Sequence, residues 1–201
     1  MDLSASNVGE AMRLLRDPRV TRWHDYVSRS AKSLDKDYLL FVPCAKSKPY
    51  PRPTKSFFYN WLWKFLDRYS LRSKVFLCTV SEPFALFPET DYLIMPDYEL
   101  SPLVLKGDPD LLEHYVSKLG KPIADFLARN AKNHDRVLAY VRPDSTHARF
   151  LERANRLLGK EIVEPAVQQE HFVRVKKDHP RMWHLDWMIF LQSVLLKELR
   201  T

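Results

Sequence analysis

Three apolar runs constrain this chain more than anything else in it. They are Tyr38-Leu39-Leu40-Phe41-Val42, the stretch from Lys74 to Val80, and the stretch from Arg136 to Val141. Each is short, continuous rather than alternating, and rich in β-branched or aromatic residues, which is the pattern of a strand covered on both faces. The segments between them have helical spacing, as in Phe57, Phe58, Trp61, Leu62, Phe65 and Leu66. Strands that alternate with helices imply a parallel sheet with helices on either side. The predicted fold is therefore α/β, a three-layer α/β/α arrangement around a central, mainly parallel four-stranded sheet. Its fourth strand is expected at 160–163, stopped by Pro165.

The remaining segments fit around that sheet. Residues 5–33 read as helical, with one apolar stripe at Val8, Met12 and Leu15, a break near Pro18, and a second at Trp23, Tyr26 and Val27. His24 in this segment reads as a packing or surface histidine. Pro83, Pro88, Pro96 and Pro102 forbid a long helix between the second and third runs, and Leu93-Ile94-Met95 suggests a short strand there. Asp108-Pro109-Asp110 is a helix start. That helix is expected to stop near 119, where Gly120 and Pro122 intervene, and a second to continue to about 133. Ser145 or Asp144 can cap a helix over 147–158, which Gly159 ends. The segment 182–199 reads as a long helix that is apolar around much of its circumference, so it is expected to close a homodimer or dock a partner subunit. The whole chain reads as a single domain over 1–201. It comprises a helical N-terminal segment at 1–36, an α/β core at 37–165 and a C-terminal helical segment at 166–201.

Composition narrows the function. At 45% hydrophobic residues the chain can build a sizeable core. Its net charge of +7 favours an anionic partner such as tRNA or another nucleic acid. With two cysteines and no secretory pattern at the start, a reducing, cytoplasmic setting is expected. No apolar run reaches the ~18 residues of a membrane span, so no membrane is expected. Four glycines leave no phosphate-binding loop or dinucleotide fingerprint, and no cofactor is called for. The histidines and cysteines show no metal-ligand spacing.

Right-handed crossovers place the loops after parallel strands at one edge of the sheet. That gathers Cys44, Lys46, Lys48, Tyr50, Ser81, Glu82, Asp97, Tyr98, Glu99, Arg142, Asp144, Ser145 and His147 around one crevice. Cys44, Lys48, Tyr50 and Glu82 are the candidate catalytic residues. A thiol beside lysines is a potential nucleophile, a lysine or tyrosine can stabilise developing charge, and a crevice carboxylate can serve as acid or base. Lys46, Ser81, Tyr98, Glu99, Arg142 and Asp144 are candidate substrate contacts. Arg52 and Lys55, with Tyr59, Trp61 and Trp63 nearby for base stacking, are candidate nucleic-acid contacts.

The stretch Pro43-Cys44-Ala45-Lys46-Ser47-Lys48-Pro49-Tyr50 fits the pattern PCxxxKPY. It resembles the core domain of archaeosine synthase, a relative of the archaeal tRNA-guanine transglycosylases. That family's pattern continues with a serine and a histidine, where this chain has Pro53 and Ser56. A second family segment, TSPLGLVP, is matched in part by Ser81 to Pro88, and a Tyr-Asp pair by Tyr98-Glu99. The resemblance covers about residues 37–165. It implies a core similar to the uracil-DNA glycosylase fold. It also implies addition of a nitrogen nucleophile to the nitrile of a 7-deazaguanine (preQ0-type) base in tRNA, by a tRNA-modifying transferase or its catalytic subunit. A non-catalytic RNA- or DNA-binding module and a glycosylase-like nucleic-acid enzyme on the same fold stay open beside it.

Overall fold

The computed structural model describes residues 3–46, 48, 50, 56–166, 193, 196 and 197. The chain enters through a two-residue strand, β1 (Ser4–Ala5), and two helices, α1 (Val8–Leu15) and α2 (Pro18–Arg29). Asn7 caps α1 by accepting the Glu10 N–H at 3.0 Å, and Asp17 caps α2 by accepting that of Arg19 at 2.8 Å. Pro18 sits at the start of α2, where its missing N–H costs nothing. Then come β2 (Tyr38–Pro43), α3 (Phe57–Arg68), β3 (Val75–Ser81) and β4 (Ala85–Pro88). A 3-10 helix over Glu89–Ile94 leads to β5 (Glu99–Leu100), α4 (Pro102–Gly107) and the long α5 (Pro109–Asn130). A short 3-10 turn, Ala131–Asn133, leads to β6 (Arg136–Ala139), α6 (Thr146–Leu158) and β7 (Glu164–Pro165).

The main sheet has five strands in the order β4-β3-β2-β6-β7. β2 pairs in parallel with β3 and with β6, β7 pairs in parallel with β6, and β4 runs antiparallel to β3. β1 and β5 form a separate parallel pair. The sheet is thus mixed and mostly parallel. Every residue of β3 is buried, as is β2 up to Val42, which is what their continuous apolar sequences require.

Four expectations change. The sheet has five strands rather than four, because Ala85–Pro88 folds straight back on β3 after a turn at 82–84, with Ala85, the first residue of β4, at φ +69°. The short strand expected at 93–95 is replaced by the 3-10 helix, with Leu93 and Ile94 exposed. Gly120 and Pro122 do not interrupt α5, which runs unbroken for 22 residues. Proline removes one helical hydrogen bond, and both residues lie on the buried stripe, where packing offsets that loss. The strand expected at 160–163 lies instead at Glu164–Pro165. The Asn155 carboxamide accepts the N–H groups of Ile162 and Val163, each at 3.1 Å, and donates to the Val163 carbonyl at 3.1 Å. Those backbone groups are therefore engaged before the sheet begins. Of the helix expected at 182–199, with its proposed interface, only residues 193, 196 and 197 are among the described residues, and all three are helical.

Strand order also fixes where a ligand would sit. From β2 the chain crosses by α3 to β3 on one side, and from there it returns past β2 by α5 to β6 and by α6 to β7 on the other. Right-handed crossovers in opposite directions put α3 on one face and α5 with α6 on the other. Helix α5 packs against both α6 and α2, in keeping with a shared layer. The winding reverses between β2 and β6. In open α/β sheets, the crevice beyond the carboxyl ends of the strands at such a reversal is the natural binding site.

His24 on α2 illustrates how burial sets a pH response. Its Nε2 lies 2.7 Å from the Pro83 carbonyl, and burial holds its pKa below the ordinary histidine value. The unfolded chain then binds more protons than the native one once pH drops below about 6.5. This stability is complete above that pH and is lost as pH falls. His24→Gln, which keeps a donor for Pro83, should therefore flatten the decline in urea midpoint between pH 7 and pH 5. The difference is at most about 1.4 kcal/mol per pH unit for one proton. Parallel pH profiles for the two proteins would show that His24 is not the group responsible.

Candidate active site

The loops that follow β2, β3 and β6 leave the same edge of the sheet, because these strands are parallel and in register, with Pro43 opposite Val80 and Phe41 opposite Ala139. Cys44 is the first residue beyond β2, and its N–H donates to the Val80 carbonyl at 3.0 Å. Glu82 is the first residue beyond β3. His147 lies in the first turn of α6, whose N-cap Ser145 accepts the Ala148 N–H at 3.2 Å. The three side chains meet across the winding reversal. His147 Nε2 is 3.0 Å from Glu82 Oε2 and 3.6 Å from Cys44 Sγ, and Sγ is 3.8 Å from the same carboxylate oxygen. Thr146, one residue before His147, donates its hydroxyl to the other oxygen, Glu82 Oε1.

The electrostatics of this cluster are those of a buried ion pair. Burial alone would raise the Glu82 pKa. The His147 cation beside it and the hydrogen bonds from His147 and Thr146 outweigh burial and hold the carboxyl at about 2. Burial would likewise lower the His147 pKa, but the Glu82 carboxylate holds it well above the ordinary value. At neutral pH the pair is imidazolium and carboxylate. It stands at the N-terminus of a 13-residue helix, where exposed N–H groups favour negative charge. One ring nitrogen faces both the carboxylate and the thiol. This differs from a linear relay, in which the two nitrogens of the imidazole face separate partners.

Around the thiol, the expected residues divide by position. Lys48 is half-buried, its Nζ 3.8 Å from the centre of the Tyr98 ring and donating to the Tyr98 carbonyl at 3.1 Å. Burial lowers its pKa, while Cys44, Asp97, Glu99 and Glu82 nearby pull the other way. Tyr50 is fully buried and stacked on Tyr59 with ring centres 3.9 Å apart. Its hydroxyl accepts the Ala45 N–H at 2.8 Å and donates to the Ala45 carbonyl at 3.0 Å, so it shapes the loop beside Cys44. Ser81 is buried with its hydroxyl bonded to that of Tyr98. Lys46 and Glu99 form an exposed ion pair at 3.2 Å, and Asp97 is also exposed. Arg142 and Asp144 hold one another through two hydrogen bonds of 2.9 and 2.8 Å in the loop after β6. Arg52 and Lys55 lie outside the described residues. Tyr59 is buried, donating to the Pro43 carbonyl at 3.1 Å, and Trp63 is buried and donates to the Tyr50 carbonyl at 2.8 Å, so neither ring presents a face for base stacking.

Sequence reasoning placed His147 at this edge without giving it a chemical role, and it missed Thr146. At position 56, where the resembled pattern carries a histidine, Ser56 caps α3 by accepting the Tyr59 N–H at 3.4 Å. The available signal was position: a Ser-Thr-His sequence opening the helix that follows a central strand. The cluster also brings together three possible metal ligands, Cys44, Glu82 and His147, whose ligand atoms all lie within 4.8 Å of one another. Comparison of the chain with protein-family models, with curated proteins and with solved structures finds no match.

Proposed function

We propose that the chain is a thiol-dependent enzyme in which Cys44 adds to an electrophilic carbon and the Glu82–His147 pair manages the proton. The observation that carries this reading is the meeting of Cys44, His147 and Glu82 at the winding reversal, with the ion pair largely buried and beside a helix N-terminus. The imidazolium N–H beside Sγ is placed to donate a proton as charge develops on the substrate. The resemblance in Pro43–Tyr50 and the net charge of +7 support a substrate of stated class, the nitrile of a 7-deazaguanine base in tRNA. In that reaction the C–S bond forms as the thiol proton passes through the pair to the nitrile nitrogen, giving a thioimidate. An amine then adds to the same carbon, the C–S bond breaks, and the thiol leaves as an amidine forms.

The test is mass spectrometry of the Cys44 peptide and of nucleosides from nitrile-bearing tRNA, with and without an amine. A covalent adduct on Cys44 that forms without the amine and discharges with it is expected. Cys44→Ser should abolish both adduct and product. Salt-sensitive tRNA binding with neither adduct nor product would instead favour a non-catalytic RNA-binding module on this fold.

A further inference from the structure

We infer that Cys44, Glu82 and His147 also form a three-ligand site for a zinc-class divalent cation, with the fourth position open. The argument is geometric. Zinc bonds of about 2.3 Å to sulfur and 2.0–2.2 Å to nitrogen and oxygen, at tetrahedral angles, put ligand atoms roughly 3.6 Å apart for S···N and S···O and roughly 3.4 Å apart for N···O. The observed separations are 3.6 Å for Cys44 Sγ to His147 Nε2, 3.8 Å for Sγ to Glu82 Oε2, and 3.0 Å for Nε2 to Oε2. These are the edges of one face of such a tetrahedron to within a few tenths of an ångström. A thiolate, an imidazole and a single carboxylate oxygen suit zinc and its neighbours, whereas magnesium and calcium take several oxygens.

A second feature supports the site. Thr146 holds Glu82 by the oxygen that does not face the cluster, leaving Oε2 aimed at the other two groups. Such outer hydrogen bonds are what orient ligating carboxylates. Binding replaces the proton between Glu82 and His147 and the thiol proton, so metal uptake releases protons to solvent. It also ties up the Cys44 sulfur. That zinc thereby inhibits the enzyme rests on the nucleophile reading above; that zinc binds does not.

Cobalt and zinc titrations of the 201-residue chain test this. One equivalent of Co²⁺ should produce a tetrahedral visible spectrum with a thiolate-to-cobalt charge-transfer band, and Zn²⁺ should displace it. Cys44→Ser should lose the charge-transfer band while keeping the wild-type urea midpoint. Thr146→Val should weaken zinc about 10- to 100-fold, the cost of losing an outer partner. Zinc should slow iodoacetamide alkylation of Cys44 at least tenfold, and a chelator should restore it. Absence of a one-equivalent thiolate–cobalt signal, or zinc that binds without protecting Cys44, would overturn the inference. Alkylation and adduct formation in metal-free protein report separately on the nucleophile, so failure of one reading leaves the other measurable.

Discussion

Glu82→Ala is expected to lower the unfolding free energy by about 3–5 kcal/mol, because it strips one partner from a buried ion pair. The side chains of His147 and Glu82 are only 14% and 10% exposed, so water cannot replace what is lost. The Thr146 hydroxyl loses its acceptor as well. The His147 ring, left with burial and no carboxylate, would have to give up its charge. Removing both partners removes the reason for the penalty, so Glu82→Ala with His147→Leu should recover a substantial part of the loss. Urea unfolding of the two single variants and the double variant gives the coupling directly. A single-variant loss under about 1 kcal/mol, with additive behaviour, would mean that the pair is solvated and weak.

The second large effect lies away from the site, where α5 crosses α6. A Cβ at Gly120 would stand 2.4 Å from Arg153 Cγ and 2.8 Å from Arg153 Cβ. These atoms are the root of the side chain, so relief requires the two helices to separate. Gly120→Val should therefore cost about 2–3 kcal/mol, as overpacking usually does, although glycine is itself a poor helix residue. Gly107 at the end of α4 is the matched control, since nothing lies within 4 Å of its Cβ position. Gly107→Ala should be neutral or gain about 0.4–1 kcal/mol by restricting the unfolded chain. Equal stability of the two variants would remove the close approach as the reason for Gly120. Because α6 carries Thr146 and His147, Gly120→Val should also slow alkylation of Cys44.

What was legible in the sequence follows from what local chemistry can encode. Tyr38–Pro43 and Val75–Ser81 are strands because nothing else buries continuous β-branched and aromatic runs of that length. Asp108, Ser145 and Gly159 mark helix ends through their own hydrogen bonds or backbone conformation, and they do so in the structure. The missed features depend on partners distant in sequence. Ala85–Pro88 becomes a strand only because β3 offers it an edge. Residues 162 and 163 stay out of the sheet because Asn155 claims their backbone. Pro122 is tolerated inside α5 because its surroundings are packed. In the site, Cys44 was legible from its motif. The His147–Glu82 pair was not, since the two residues are joined by no local spacing and meet only through the strand order.

That origin has a consequence during synthesis. Translation delivers Cys44 first, then Glu82, and only much later His147, with the whole of α5 between the last two. A growing chain on the ribosome therefore displays a thiol and a carboxylate but not the imidazole that joins them. Strands β2 and β3 can pair early, yet β6 must be inserted beside β2 before α6 brings His147 to the edge. The cluster is thus absent from the nascent polypeptide through the order of its codons, and it forms only when the last central strand is in place.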